Sequence, residues 1–140
     1  MSITENYPYY HPITVRFADL DPQGHVNNSV YLTYLESARL GFYEQVGIWH
    51  PNRTMQTGMV VAHTSIDFIA PILFGQSVRV GLRLEKIGTK SFTFTFLIET
   101  TPDQIALARG TCVIVAFDPE INKSIPLPDK WRKKLENFSK

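Results

Sequence analysis

Phe17-Ala-Asp-Leu-Asp-Pro-Gln-Gly-His-Val-Asn-Asn-Ser-Val-Tyr31 is the stretch whose reading decides the fold. It leads from apolar residues through two carboxylates, Asp19 and Asp21, into turn chemistry. Pro22 fixes its own φ, Gly24 admits φ > 0, and Asp21 can bond nearby backbone amides. Asn27 or Asn28 then suits a helix N-cap, because a short side-chain oxygen accepts an orphan amide of the first turn. A helix start presents free N–H groups and partial positive charge. With a carboxylate and His25 beside it, it makes a place for a substrate oxygen that becomes negative. In outline this is an acyl-transfer site.

Downstream, Tyr31, Tyr34, Leu35, Ala38 and Phe42 recur at helical spacing, with Val30, Leu32 and Val46 widening the stripe. The spacing predicts one helix over about 29–46, stopped by Gly47. Only Glu36, Arg39 and Glu44 on it are charged, so most of its surface is expected to be buried, as when a sheet wraps around it. Upstream, Tyr7-Pro-Tyr-Tyr-His-Pro12 cannot hold a helix. Ile13, Val15 and Phe17 alternate with polar or small residues, which predicts a strand with one buried face.

The remaining core is strand. Residues 48–58 carry His50-Pro51-Asn52-Arg53, a loop signal. Residues 59–70 form a long apolar, β-branched run ended by Pro71. In 77–86 Val78, Val80, Leu82 and Leu84 alternate with Arg79, Gly81, Arg83 and Glu85, and in 91–100 Phe92, Phe94, Phe96 and Ile98 occupy one face. Turns at 87–90 and around Pro102-Asp103 join these to 105–117, predicting an antiparallel meander. Pro128-Asp129 opens a short helix with Trp131, Leu135 and Phe138 inward and Lys130, Arg132, Lys133 and Lys134 toward water.

Composition narrows the function classes. With 140 residues, 44% of them hydrophobic, residues 1–140 read as a single domain able to bury about two-thirds of its unfolded surface. Fourteen basic and 13 acidic residues leave a formal charge of +1, so no overall field draws the chain to nucleic acid or to a membrane surface. No apolar run approaches the roughly 20 residues of a membrane helix. One cysteine, Cys112, makes no internal disulfide, and Glu5 and Asn6 interrupt any leader-like start, so a reduced cytoplasmic setting is expected. The four histidines, at 11, 25, 50 and 63, lack the close spacing of zinc ligands, so neither a metal nor another cofactor is expected. No Gly-x-Ser-x-Gly elbow is present.

The run Arg16-Phe-Ala-Asp-Leu-Asp-Pro-Gln-Gly-His-Val-Asn-Asn28, continued by Tyr31-Leu-Thr-Tyr-Leu-Glu-Ser-Ala-Arg39, resembles the hotdog-fold acyl-CoA thioesterases of the 4-hydroxybenzoyl-CoA thioesterase-like branch. The resemblance implies an α+β fold, a curved antiparallel sheet around one long central helix. It also implies a homodimer or homotetramer that hydrolyses an acyl-CoA thioester, fatty or aromatic, without a metal. Carried over by position, the catalytic carboxylate falls on Asp21, as nucleophile or general base, and the carbonyl-polarising amide on the backbone of Asn28. A hydratase branch of the fold places Asp and His five apart around Asn-Pro. Here Asp21 and His25 are four apart without that dipeptide.

Other candidates follow from the same pattern. His25 can carry a proton or donate to the substrate, or it can simply order the turn. Glu36 sits at the offset where a sister branch keeps its catalytic acid, and otherwise suits an i, i+3 pair with Arg39. Gly24, Asn27 and Tyr31 flank the expected substrate. Lys90 and Ser91, with Lys86, border the turn where relatives hold the nucleotide end of coenzyme A, although hairpin solvation explains them equally. His63 reads as a core or interface residue, and Asp19 as structural. An alternative of another class is a non-catalytic module that binds acyl-CoA or an acyl-carrier protein.

Overall fold

The computed structural model describes residues 6–139; the start of the chain, Glu5 included, lies outside them. Strand β1 spans Tyr9–Ile13 and is followed by a single 3-10 turn, Phe17–Asp19, and helix α1, Val30–Val46. Strands β2 (Gly58–Phe68), β3 (Val78–Ile87), β4 (Ser91–Thr100), β5 (Ala106–Asp118) and the two-residue β6 (Lys123–Ser124) precede helix α2, Asp129–Ser139. The sheet is antiparallel throughout, in the order β1-β3-β4-β5-β2, with β6 pairing β5. It curls around α1, which is the hotdog architecture implied by the resemblance.

The alternation read in β4 is what closes the core. Phe92, Phe94 and Phe96 are at most 1% exposed, because successive side chains leave a strand on opposite faces and these three share the inner one. Phe42 of α1 meets Phe94 edge-on at 5.1 Å and Phe138 of α2 at 4.7 Å, so α2 covers the end of the core that the sheet leaves open. Gly47, with φ 85°, ends α1 in the left-handed conformation that favours glycine.

Three expectations are revised. The first strand lies earlier than the alternation of Ile13, Val15 and Phe17 indicated: Tyr9–Ile13 pairs with β3, and Phe17 is 79% exposed in the 3-10 turn. Proline is tolerated there because β1 is an edge strand. His63 is exposed on β2 of the single chain, which removes the core reading and leaves the interface one. Arg132 and Lys134 of α2 are only half-exposed. The Arg132 guanidinium donates to the carbonyl of Gly88 at 2.6 Å in the β3–β4 turn, and Lys134 Nζ donates to the carbonyl of Gly47 at 2.8 Å.

The meander β3-β4-β5 is as expected, but β2 takes the far edge beside β5. Most of β2 is exposed, Val60 and Val61 at 43% and 44%. A long edge strand with apolar side chains and an unpaired row of backbone groups is a surface ready for another strand.

Candidate active site

The site is assembled by the chain between the 3-10 turn and α1. Asp19 is 2% exposed and serves as its anchor. Its carboxylate accepts from the Arg16 amide at 3.0 Å, from Arg16 Nε at 3.1 Å and NH2 at 2.8 Å, and from the Tyr34 hydroxyl at 2.7 Å. Its carbonyl accepts from the Asn27 amide at 2.8 Å. Burial alone would raise the Asp19 pKa, but the bonds from Arg16 and Tyr34 outweigh it and hold the carboxyl below its ordinary range. Burial and the bond to Asp19 push the Tyr34 phenol well up.

Within that frame the turn closes on itself. The Asp21 amide donates to the carbonyl of His25 at 2.7 Å, and the Gly24 amide donates back to the carbonyl of Asp21 at 3.0 Å. Gly24 holds φ 82°, which a β-carbon would strain. Asp21 divides its two oxygens between two conditions. Oδ1 accepts from the amides of Gln23 at 2.9 Å and His25 at 3.1 Å, whereas Oδ2 accepts from nothing among the described residues.

The helix start shows the same division. The Asn27 side-chain oxygen accepts from the Ser29 amide at 3.0 Å and hydroxyl at 2.9 Å, so Asn27 performs the capping although the formal cap residue is Ser29. The Val30 amide is taken by the carbonyl of Asn27. Among the described residues the Asn28 amide has no acceptor. Asp21, His25, Asn27, Asn28 and Tyr31 all line one cavity of about 450 Å³, walled opposite by 68–71 at the end of β2. Tyr31, 2% exposed, packs its ring edge-on against Phe68 at 5.0 Å.

Five of the residues read from the sequence therefore converge, with Gly24 shaping the turn beside them. The others do not. Glu36 is exposed and lines an adjoining groove of about 590 Å³, reached past Asn28 and Phe68, and it makes no ion pair with Arg39 among the described residues. Lys90 and Ser91 lie at the other end of the sheet: Ser91 is in register with Val115 and so with Val60, whereas Phe68 at the site is eight residues along β2, about 26 Å away at the rise of a strand. The wall over 68–71 was not found by sequence reasoning, because Pro71 reads only as the end of a strand. Among the described residues no group of three or more His, Cys, Asp or Glu is arranged to hold a metal ion, and no helix is long and apolar enough to cross a membrane.

The chain is a hotdog domain with a carboxylate-bearing turn before its central helix, and known proteins of that fold resemble it. Residues 15–135 match the thioesterase-like superfamily, and the chain belongs to it. It is 27% identical over 128 residues to the long-chain acyl-CoA thioesterase FadM of Escherichia coli, covering 91% of this chain and 97% of that one. It is 26% identical over 134 residues to the 1,4-dihydroxy-2-naphthoyl-CoA hydrolase of Nostoc punctiforme, covering 88% and 83%. Among solved structures, a Thermus thermophilus thioesterase complexed with coenzyme A and Zn superposes with a TM-score of 0.81 at 32% identity, over 96% of both chains. The protein is a thioester hydrolase.

Proposed function

We propose that the chain hydrolyses an acyl-CoA to the free acid and coenzyme A, with Asp21 and the Asn28 amide as the two working groups. One observation carries this reading. A carboxylate with one oxygen fixed by the turn and the other free shares a cavity with a free amide at a helix start. The thioester carbonyl is polarised by Asn28 N–H, aided by the partial positive charge of the helix start, and Asp21 Oδ2 attacks the carbonyl carbon or takes a proton from the water that does. His25 and Asn27 border the acyl sulfur, and Tyr31 with Phe68 packs against the first carbons of the acyl group.

The working unit is a homodimer. The free edge of β2 and the open side of the groove beside it fit a second copy about a two-fold axis. Antiparallel pairing of two β2 strands brings the Lys90–Ser91 turn of one protomer toward the Asp21 turn of the other, which reconciles the distance between them within one chain. In that arrangement Lys90 holds a coenzyme A phosphate and Ser91 a neighbouring oxygen. The buried thiol of Cys112 fits a cytoplasmic setting.

The test is thiol release measured over a ladder of acyl-CoA chain lengths and aryl-CoAs, with light scattering on the same sample. Turnover by a dimer or tetramer supports the proposal. Binding without thiol release from any substrate overturns the reaction, and a fully active monomer of about 16 kDa overturns the assembly.

A further inference from the structure

The groove between α1 and β2 is apolar along most of its length, with Leu32, Val61, Ile66 and Phe68 among its walls. It continues past Glu36 and Arg39 into a smaller cavity of about 300 Å³ lined by Tyr43, Trp49, Met55 and Met59. At the junction sits a charge that the apolar surroundings do not explain. Arg39 is only 7% exposed, and among the described residues no carboxylate comes within ion-pair distance of it. Among the described residues it donates from NH1 to Cys112 Sγ at 3.6 Å, and thiol sulfur is a weak acceptor. That sulfur is already shared with the Thr64 hydroxyl, also at 3.6 Å. The Tyr43 hydroxyl, in a residue 4% exposed, lies against the Arg39 guanidinium and has no further hydrogen-bond partner among the described residues.

A buried guanidinium and a buried phenol with donors to spare are costly unless something accepts from them. Arg39 lies about 16 Å along the helix axis from Asn28 at the rise of an α-helix, too far for the thioester carbonyl to be that acceptor. The acceptor would belong to a remote part of a chain lying in the groove. Glu36 lines both cavities together with Arg39 but is exposed and makes no ion pair with it among the described residues. A carboxylate there would be repelled by the Glu36 carboxylate, whereas a neutral oxygen would not.

We propose that this groove takes an acyl chain bearing a neutral oxygen, a hydroxyl or keto group, remote from the thioester, and that Arg39 and Tyr43 hold that oxygen. The proposal rests on the thioesterase reading only in placing the thioester at Asn28.

The experiment compares plain, ω-hydroxy and ω-carboxy acyl-CoAs at each length from octanoyl to hexadecanoyl, by thiol release. In parallel, calorimetry follows the corresponding S-alkyl-CoA thioethers, which cannot be hydrolysed. The ω-hydroxyl should raise kcat/KM by about tenfold at the one chain length that reaches Arg39, as a hydrogen bond to a charged group provides. In Arg39→Met and Tyr43→Phe this ratio should fall to near one. Tyr43→Phe removes a single oxygen whose one polar neighbour is Arg39, so it tests the proposal even where Arg39→Met does not fold. A ratio near one at every length in the wild type, a preference for the ω-carboxy chain, or a ratio unchanged in Tyr43→Phe overturns the proposal. So does dissociation of the dimer by Arg39→Met with the ratio intact, which would make a group of the second copy the acceptor. If no thioester is cleaved but the thioethers bind with the same preference, the reaction fails and this inference stands.

Discussion

The Tyr34 hydroxyl donates to Asp19 Oδ2 at 2.7 Å, tying the first turns of α1 to the segment that presents Asp21. Both groups are buried, and the acceptor is ionised, so the bond is of the stronger kind. Tyr34→Phe is expected to cost about 1.5 to 3 kcal/mol of stability.

The same bond sets a pH dependence. Asp19 has its folded pKa lowered from 3.8, so its contribution is fully present above that value and is lost as pH falls through the depressed one. In Tyr34→Phe the folded value moves back toward 3.8, and the acid-induced loss shrinks. Urea unfolding of both proteins across the acid range checks this. Equal stabilities at neutral pH and superimposable acid limbs would refute it.

How much of this could be read from sequence depends on whether the deciding interaction is local. Strand β4 was legible because Phe92, Phe94 and Phe96 alternate with threonines and no competing period exists. The boundaries of α1 were legible because Gly47 and Asn27 act within a few residues of themselves. The Asp21 turn was legible for the same reason. By contrast, β1 was misplaced because Val15 and Phe17 carry the right pattern, while pairing with β3 selects Tyr9–Ile13. Arg132 and Lys134 looked like a solvated stripe because their acceptors, the carbonyls of Gly88 and Gly47, are distant in sequence. The isolation of Arg39 from Glu36 was illegible too, since i, i+3 spacing permits a pair without requiring one.

Those two contacts of α2 give a stability prediction. Lys134→Met removes a cation from the exposed carbonyl end of α1 and should cost about 0.5 kcal/mol. Arg132→Met frees a half-buried carbonyl in the β3–β4 turn and should cost about 1 kcal/mol. Thermal melts order the variants as wild type above Lys134→Met above Arg132→Met. A Tm for Arg132→Met equal to that of the wild type would show that the clamp contributes nothing.

The separation of Lys90 from Asp21 within one chain predicts complementation between protomers. If Lys90 of one protomer serves Asp21 of the other, Lys90→Glu should raise KM by about tenfold through loss of a phosphate contact. Asp21→Asn should be nearly inactive. Equal amounts of the two, unfolded and refolded together, form mixed dimers in which one site is intact and the other carries both defects. Random pairing then restores about a quarter of wild-type activity at low substrate concentration. Activity no higher than the mean of the two parents would place both groups in the same protomer's site or in none.

The last prediction separates the two carboxylates near α1. Asp21 Oδ1 accepts two turn amides while Oδ2 is free, so Asp21→Asn can keep its oxygen in the turn and replace only the free atom with an amide. Its melting temperature should stay close to that of the wild type. Thiol release should fall at least ~10²-fold, because an amide is neither a nucleophile for the thioester nor a base for water at neutral pH. Glu36 lines the groove rather than the cavity at the helix start, so Glu36→Gln should leave most of kcat and act mainly on KM for chains that extend past it. The rival assignment reverses the pattern, with Glu36→Gln losing turnover and Asp21→Asn losing only the roughly 0.5 to 2 kcal/mol of a weakened cap. Parallel kinetics and melts decide between them, and a near-wild-type kcat in a folded Asp21→Asn enzyme would remove Asp21 from the chemistry.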